Sequence, residues 1–121
     1  MALVFVYVPD LLFGSKVLAM LKDAGHDAVL VTDEESLRRE AERHTPDVLV
    51  LDLTDDAPAR VELIGRVRAD GLLDGVKIVA FYSHVDRDTR TLAEEADYDL
   101  VVPRSRFARE GAELVAQAVA T

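Results

Sequence analysis

At 121 residues, half of them apolar, the chain has the length of one domain and enough apolar material for a single buried core. Its 23 acidic residues against 14 Lys and Arg leave a formal charge of -9, a field that repels phosphate backbones and anionic lipid surfaces, so neither nucleic acid nor membrane is an expected partner. Cysteine is absent, which excludes a disulfide framework, thiol catalysis and cysteine-based zinc sites, and fits a reducing cytoplasmic setting.

The first apolar run, Leu3 to Val8, reads as a strand. Pro9-Asp10 breaks it far short of a membrane span of about 20 residues, and no basic segment precedes it, so neither export nor anchoring is expected. Gly14, Val17, Leu18 and Leu21 then share one helical face, and Ala24-Gly25 stops that helix. A second strand, Ala28 to Val31, leads to Thr32 and Glu35, which have the spacing of a capping box. The third strand, Val48 to Leu51, is apolar on both faces and delivers Asp52 at its end. Asp56 is placed to cap a third helix with Pro58 in its first turn and Leu63, Ile64 and Val67 on its apolar face; Asp70-Gly71 ends it. Val76 to Phe81 predicts a fourth strand, Asp86 a cap for the fourth helix, and Leu100 to Val102 a fifth strand. Ser105 is placed to cap a last helix whose stripe is Leu114, Val115, Ala118 and Val119. Five alternations of strand and helix, with no internal repeat or linker, predict one α/β domain over residues 1–121: a doubly wound, three-layer sandwich around a five-stranded parallel sheet with right-handed crossovers.

In such a sheet the functional crevice lies beyond the carboxyl ends of the strands. That places Asp10, Asp52 to Asp56, Tyr82-Ser83-His84 and Pro103 to Arg106 in neighbouring loops. Asp52 reads either as a reactive carboxylate or as an acceptor for backbone N–H groups in the turn that follows its strand. Asp10 reads as a metal ligand or, more simply, as the cap of the first helix, and Asp55 and Asp56 as turn and cap residues. Lys16, Arg104 and Arg106 are the cations that could approach an anion in the crevice. No catalytic residue is assigned: the chain has no G-x-S-x-G, G-x-G-x-x-G, H-E-x-x-H or P-loop pattern, His26 and His44 have no ligand spacing, and Ser83, His84 and Asp86 are too close in sequence for triad geometry.

The order of elements and the segments PDVLVLDLTDD (residues 46–56) and EADYDLVVP (residues 95–103) resemble the receiver domain of bacterial response regulators, whose fold is flavodoxin-like. PRSRF and the SHVD segment (residues 83–86) are similar to a divergent group of stand-alone receiver-like proteins. The resemblance implies that Asp52 is the phosphoacceptor and that it shares Mg²⁺ with an acidic pair at the end of the first strand, since a hard cation needs several oxygens around a transferring phosphoryl group. Those two places fall at Val8 and Pro9, leaving Asp10 with Asp52 as a weak metal pair. The family's hydroxyl after strand four falls at Tyr82, or at Ser83 with a slip of one, and a tyrosine there would fill the space that the family's mobile aromatic uses. The lysine before the last proline is replaced by Val102, and the resemblance implies a cis peptide between Val102 and Pro103.

Three functions follow as expectations. The first is a stand-alone receiver-like signalling module that is not an enzyme. It acts through protein–protein contact by the fourth helix, fifth strand and fifth helix, without Mg²⁺-dependent aspartyl phosphorylation. A histidine kinase or a downstream signalling protein is then the partner, and a homodimer through the last helix is compatible with its pattern. The second is a phosphorelay receiver phosphorylated at Asp52 by a histidine kinase, the one case that needs Mg²⁺. The third is a small-anion or nucleotide-binding module using Lys16, Ser83, Arg104 and Arg106.

Overall fold

The computed structural model describes residues 2–83 and 87–121. Ten elements alternate along the chain: β1 (Leu3–Tyr7), α1 (Leu11–Asp23), β2 (Asp27–Val31), α2 (Glu34–Arg43), β3 (Val48–Asp52), α3 (Ala57–Ala69), β4 (Lys77–Tyr82), α4 (Arg87–Glu95), β5 (Leu100–Pro103) and α5 (Arg104–Ala120). All strand pairs are parallel and the sheet order is β2-β1-β3-β4-β5, the doubly wound flavodoxin-like arrangement expected from the alternation.

The period of two along each strand separates two cores. In β3, Val48 and Val50 join the core covered by Val17 and Leu21 of α1 and Phe107, Leu114 and Val115 of α5. Leu49 and Leu51 join the other, covered by Leu37 of α2, Ile64 and Val67 of α3 and Ala93 of α4. Every residue of β3 is buried, as a central strand with helices on both faces must be. The strand starts are pinned by carboxylates: Asp47 Oδ2 accepts from the Leu3 N–H at 2.8 Å, and Asp99 Oδ2 from the Ile78 N–H at 2.7 Å. No helix among the described residues is long and apolar enough to cross a membrane.

Four local expectations are corrected. The capping box of α2 is Asp33 with Ser36 rather than Thr32 with Glu35: Asp33 Oδ1 accepts from Ser36 N at 2.7 Å, and Ser36 Oγ accepts from Asp33 N at 3.2 Å and Thr32 N at 3.1 Å. Pro103 rather than Ser105 caps α5, because β5 runs straight into the helix with no loop between them. Asp56 holds the cap position of α3 but in the left-handed region, φ 45°, with no side-chain cap bond. Val119, placed on the apolar stripe of α5, is 45% exposed, since Leu114, Val115 and Ala118 already cover the sheet. The fourth-helix cap assigned to Asp86, and His84, lie outside the described residues.

Candidate functional site

Asp52 closes β3, paired in register with Phe81 of β4, and is 95% buried. Its carboxylate is held by the next turn: Oδ1 accepts from Thr54 N at 2.8 Å and from Thr54 Oγ1 at 2.6 Å. Its main-chain carbonyl accepts from the Arg60 guanidinium at 2.7 Å. Arg60 also lies over the Tyr7 ring, 4.6 Å from its centroid, so β1, β3 and α3 are tied together beside the aspartate. Thr54 and Arg60 are the site residues that sequence reasoning missed. Thr54 left a signal, a hydroxyl two residues after a strand-ending Asp, while Arg60 left none without the fold.

A cleft of about 570 Å³ opens beside this turn, lined by Thr54, Ser83, Arg104, Ser105 and Ala108. Ser83 and Arg104 of the expected crevice set are therefore brought together. Arg104 sits over Phe13, 4.1 Å from the ring centroid. Phe13 meets Phe81 edge-on at 5.4 Å, and Phe81 stacks on Phe107 at 5.2 Å, an aromatic column under the cleft.

The other crevice candidates lie elsewhere. Lys16 is exposed on α1 and does not line the cleft. Arg106 pairs with Glu110 one turn along α5, at 3.5 Å. Tyr82 turns to the opposite core, with Ala93 and Tyr98, because alternation along β4 points it away from the face that Phe81 and Asp52 share. The Val102–Pro103 peptide is trans, as no cis bond occurs among the described residues; Pro103, with φ -62° and no N–H to lose, ends an edge strand opposite Tyr82.

The donors do not fit Mg²⁺. Val8, where the resemblance would put one acid of the pair, is fully buried in the apolar core, and Pro9 offers no carboxylate. Asp10 is committed as the cap of α1, its Oδ1 accepting from Leu12 N at 3.0 Å and Phe13 N at 3.3 Å. Among the described residues no group of three His, Cys, Asp or Glu could hold a metal ion. Val102, where the resemblance would put the lysine, is 2% exposed and packs in the core.

The sheet order and the five covering helices are the flavodoxin-like fold of response-regulator receiver domains. Among solved structures, a response regulator from Thermotoga maritima is similar at TM-score 0.84 and 17% identity over 98% of both chains. The receiver domain of Francisella response regulator 1452 is similar at TM-score 0.83 and 12% identity, over 99% of this chain and 98% of that one. The Vibrio cholerae chemotaxis protein CheY4 is similar at TM-score 0.82 and 14% identity over 98% of both. No family model and no curated protein matches the sequence. At these identities the likeness is one of fold.

Proposed function

We propose that this chain is a receiver-like signalling module of the cytoplasm that acts by docking to another protein, without Mg²⁺-dependent phosphorylation of Asp52. One observation supports this reading: at the places where the resemblance expects the acid pair and the lysine, the chain has buried Val8, Pro9 and buried Val102. A carboxylate whose Oδ1 is already occupied by two donors from Thr54 then serves to fix the turn after β3. The response regulators of similar fold support a role in signalling, with a histidine kinase or a downstream signalling protein as the partner. The face made by α4, β5 and α5, where Leu92, Leu100 and Val101 remain partly exposed, is the proposed docking surface, for that partner or for a second copy.

The test is intact mass after incubation with acetyl phosphate, with and without Mg²⁺, on the wild type and Asp52→Asn. No adduct is expected on either protein. A Mg²⁺-dependent phosphoryl adduct absent from Asp52→Asn would overturn the reading and make Asp52 a phosphoacceptor.

A further inference from the structure

We propose that the peptide unit Asp74-Gly75 is a spontaneous modification site, where aspartate converts to isoaspartate through a cyclic imide, and that the fold shields the identical unit Asp70-Gly71 from the same reaction. The sequence places these two Asp-Gly pairs close together, one at the end of α3 and one in the turn before β4, and it contains no asparagine. The chemistry consumes no reagent but water. The Gly75 nitrogen attacks the side-chain carboxyl carbon of Asp74 and the new N–Cγ bond closes a five-membered imide. One carboxyl oxygen leaves as water, with the amide proton and a proton from solvent. A second water then opens the ring. Attack at Cγ restores aspartate; attack at the main-chain carbonyl breaks its bond to the Gly75 nitrogen and routes the chain through Cβ and Cγ, which is isoaspartate. Glycine as the attacking residue favours closure, because it has no Cβ to crowd the ring.

The two units differ in what holds their reacting atoms. Asp70 stands at the C-cap of α3, where its N–H donates to the Arg66 carbonyl at 3.1 Å and its Oδ2 accepts from the Arg38 guanidinium at 2.7 Å. The nucleophile beside it is engaged as well, the Gly71 N–H donating to the Arg68 carbonyl at 3.0 Å. Closing an imide there has to break the Gly71 bond and swing the carboxyl away from Arg38. Asp74 and Gly75 are both exposed, and among the described residues neither the Asp74 carboxylate nor the Gly75 N–H has a hydrogen bond or ion pair. They are the central residues of a turn that the Val76 N–H closes on the Leu73 carbonyl at 3.2 Å, with Gly75 at φ 76°. A Cβ built on Gly75 would meet nothing within 4 Å, so the space around the attacking residue is open. Leu73 and Val76, 4% and 7% exposed, anchor the two ends of the turn in the core under α3. The added main-chain carbon of isoaspartate therefore lengthens the entry to β4 between two fixed points.

The experiment is incubation of the full folded chain at neutral pH in water enriched in heavy oxygen, since each ring opening takes one oxygen from solvent. Peptides are then fragmented by electron transfer, which distinguishes isoaspartate from aspartate at each position. Heavy oxygen and isoaspartate are expected at Asp74, accumulating about tenfold or more faster than at Asp70, because only Asp70-Gly71 must give up a backbone hydrogen bond and a charged one. In urea, where neither bond survives, the two sites should react at similar rates. Asp74→Glu keeps the charge but would need a six-membered ring, and should lose the signal at that position without gaining one at Asp70. Arg38→Gln should raise the rate at Asp70 severalfold and leave Asp74 as it is. Equal rates at the two sites in the folded chain, or no label at Asp74 when the urea sample is labelled, would overturn the proposal. So would a preference for Asp74 that persists undiminished in urea, since it would owe nothing to the fold.

Discussion

Tyr98 stands just before β5 with its ring in the core beneath α3 and α4, and its hydroxyl is buried without a hydrogen-bond partner. Burial pushes its pKa up to about 12, against a smaller opposing pull from Arg68, whose guanidinium lies 5.2 Å from the ring centroid. The unfolded chain releases this proton near an ordinary pH of about 10, so above that value the folded state holds more protons and stability falls as pH rises. Roughly 2–3 kcal/mol at most should be lost between about pH 10 and 12, with Tyr7, also raised mainly by burial, adding in the same direction. Tyr98→Phe removes both the unpaired hydroxyl and most of that alkaline limb. Urea unfolding at pH 7 should show it equal to the wild type or about 1 kcal/mol more stable, and a loss of more than that would mean the hydroxyl is satisfied in solution. The position of Asp52 was legible in the sequence, because an apolar run that ends in a carboxylate marks the end of a central strand. The placement of Arg104 over Phe13 and of Arg60 over Tyr7 was not, since each joins segments that only the finished sheet brings together.

At the scale of elements, the strands and helices were legible from periods of two and 3.6, and their ends less so. Asp33 displaced Thr32 at the α2 cap because its carboxylate and the Ser36 hydroxyl satisfy each other's backbone N–H groups, a reciprocity that Glu35 does not enter. The α2–α3 surface is laced by charge: Glu34 accepts from Arg66 at 2.8 Å and Arg38 at 2.9 Å, and Arg38 reaches Asp70 at 2.7 Å. Arg66 first and Arg38 second hold the Glu34 carboxyl below its usual range, yet these groups are solvated and salt weakens them. Backbone entropy in α3 offers a larger lever. Gly65 lies on the exposed side of that helix, and a Cβ there would meet nothing within 4 Å. Gly65→Ala should therefore stabilise the protein by about 0.5–1 kcal/mol, from helix propensity and a more restricted unfolded chain. A thermal melt that places the variant below the wild type would show that α3 is covered in solution by something a methyl group disturbs.

For the molecule as a whole, the question is whether two cores on opposite faces of one sheet melt together. Val48 and Val50 face one core while Leu49 and Leu51 face the other, so β3 cannot leave either core without leaving both. That coupling predicts a single cooperative transition, and the distribution of tyrosines provides a way to see it. All three, Tyr7, Tyr82 and Tyr98, sit in the core under α2, α3 and α4, and the chain has no tryptophan, so intrinsic fluorescence reports that face alone. Far-UV ellipticity reports both faces, because α1 and α5 on the other side carry close to half of the helical residues. Phe81→Leu thins the core that the tyrosines do not touch, between Phe13 and Phe107, and should cost about 1–2 kcal/mol. If the sheet couples the faces, tyrosine fluorescence and ellipticity will give coincident urea midpoints in wild type and variant, both displaced equally by the substitution. Ellipticity lost ahead of the fluorescence change in Phe81→Leu would mean that α1 and α5, and with them Arg104 and the cleft, detach from a sheet that stays folded.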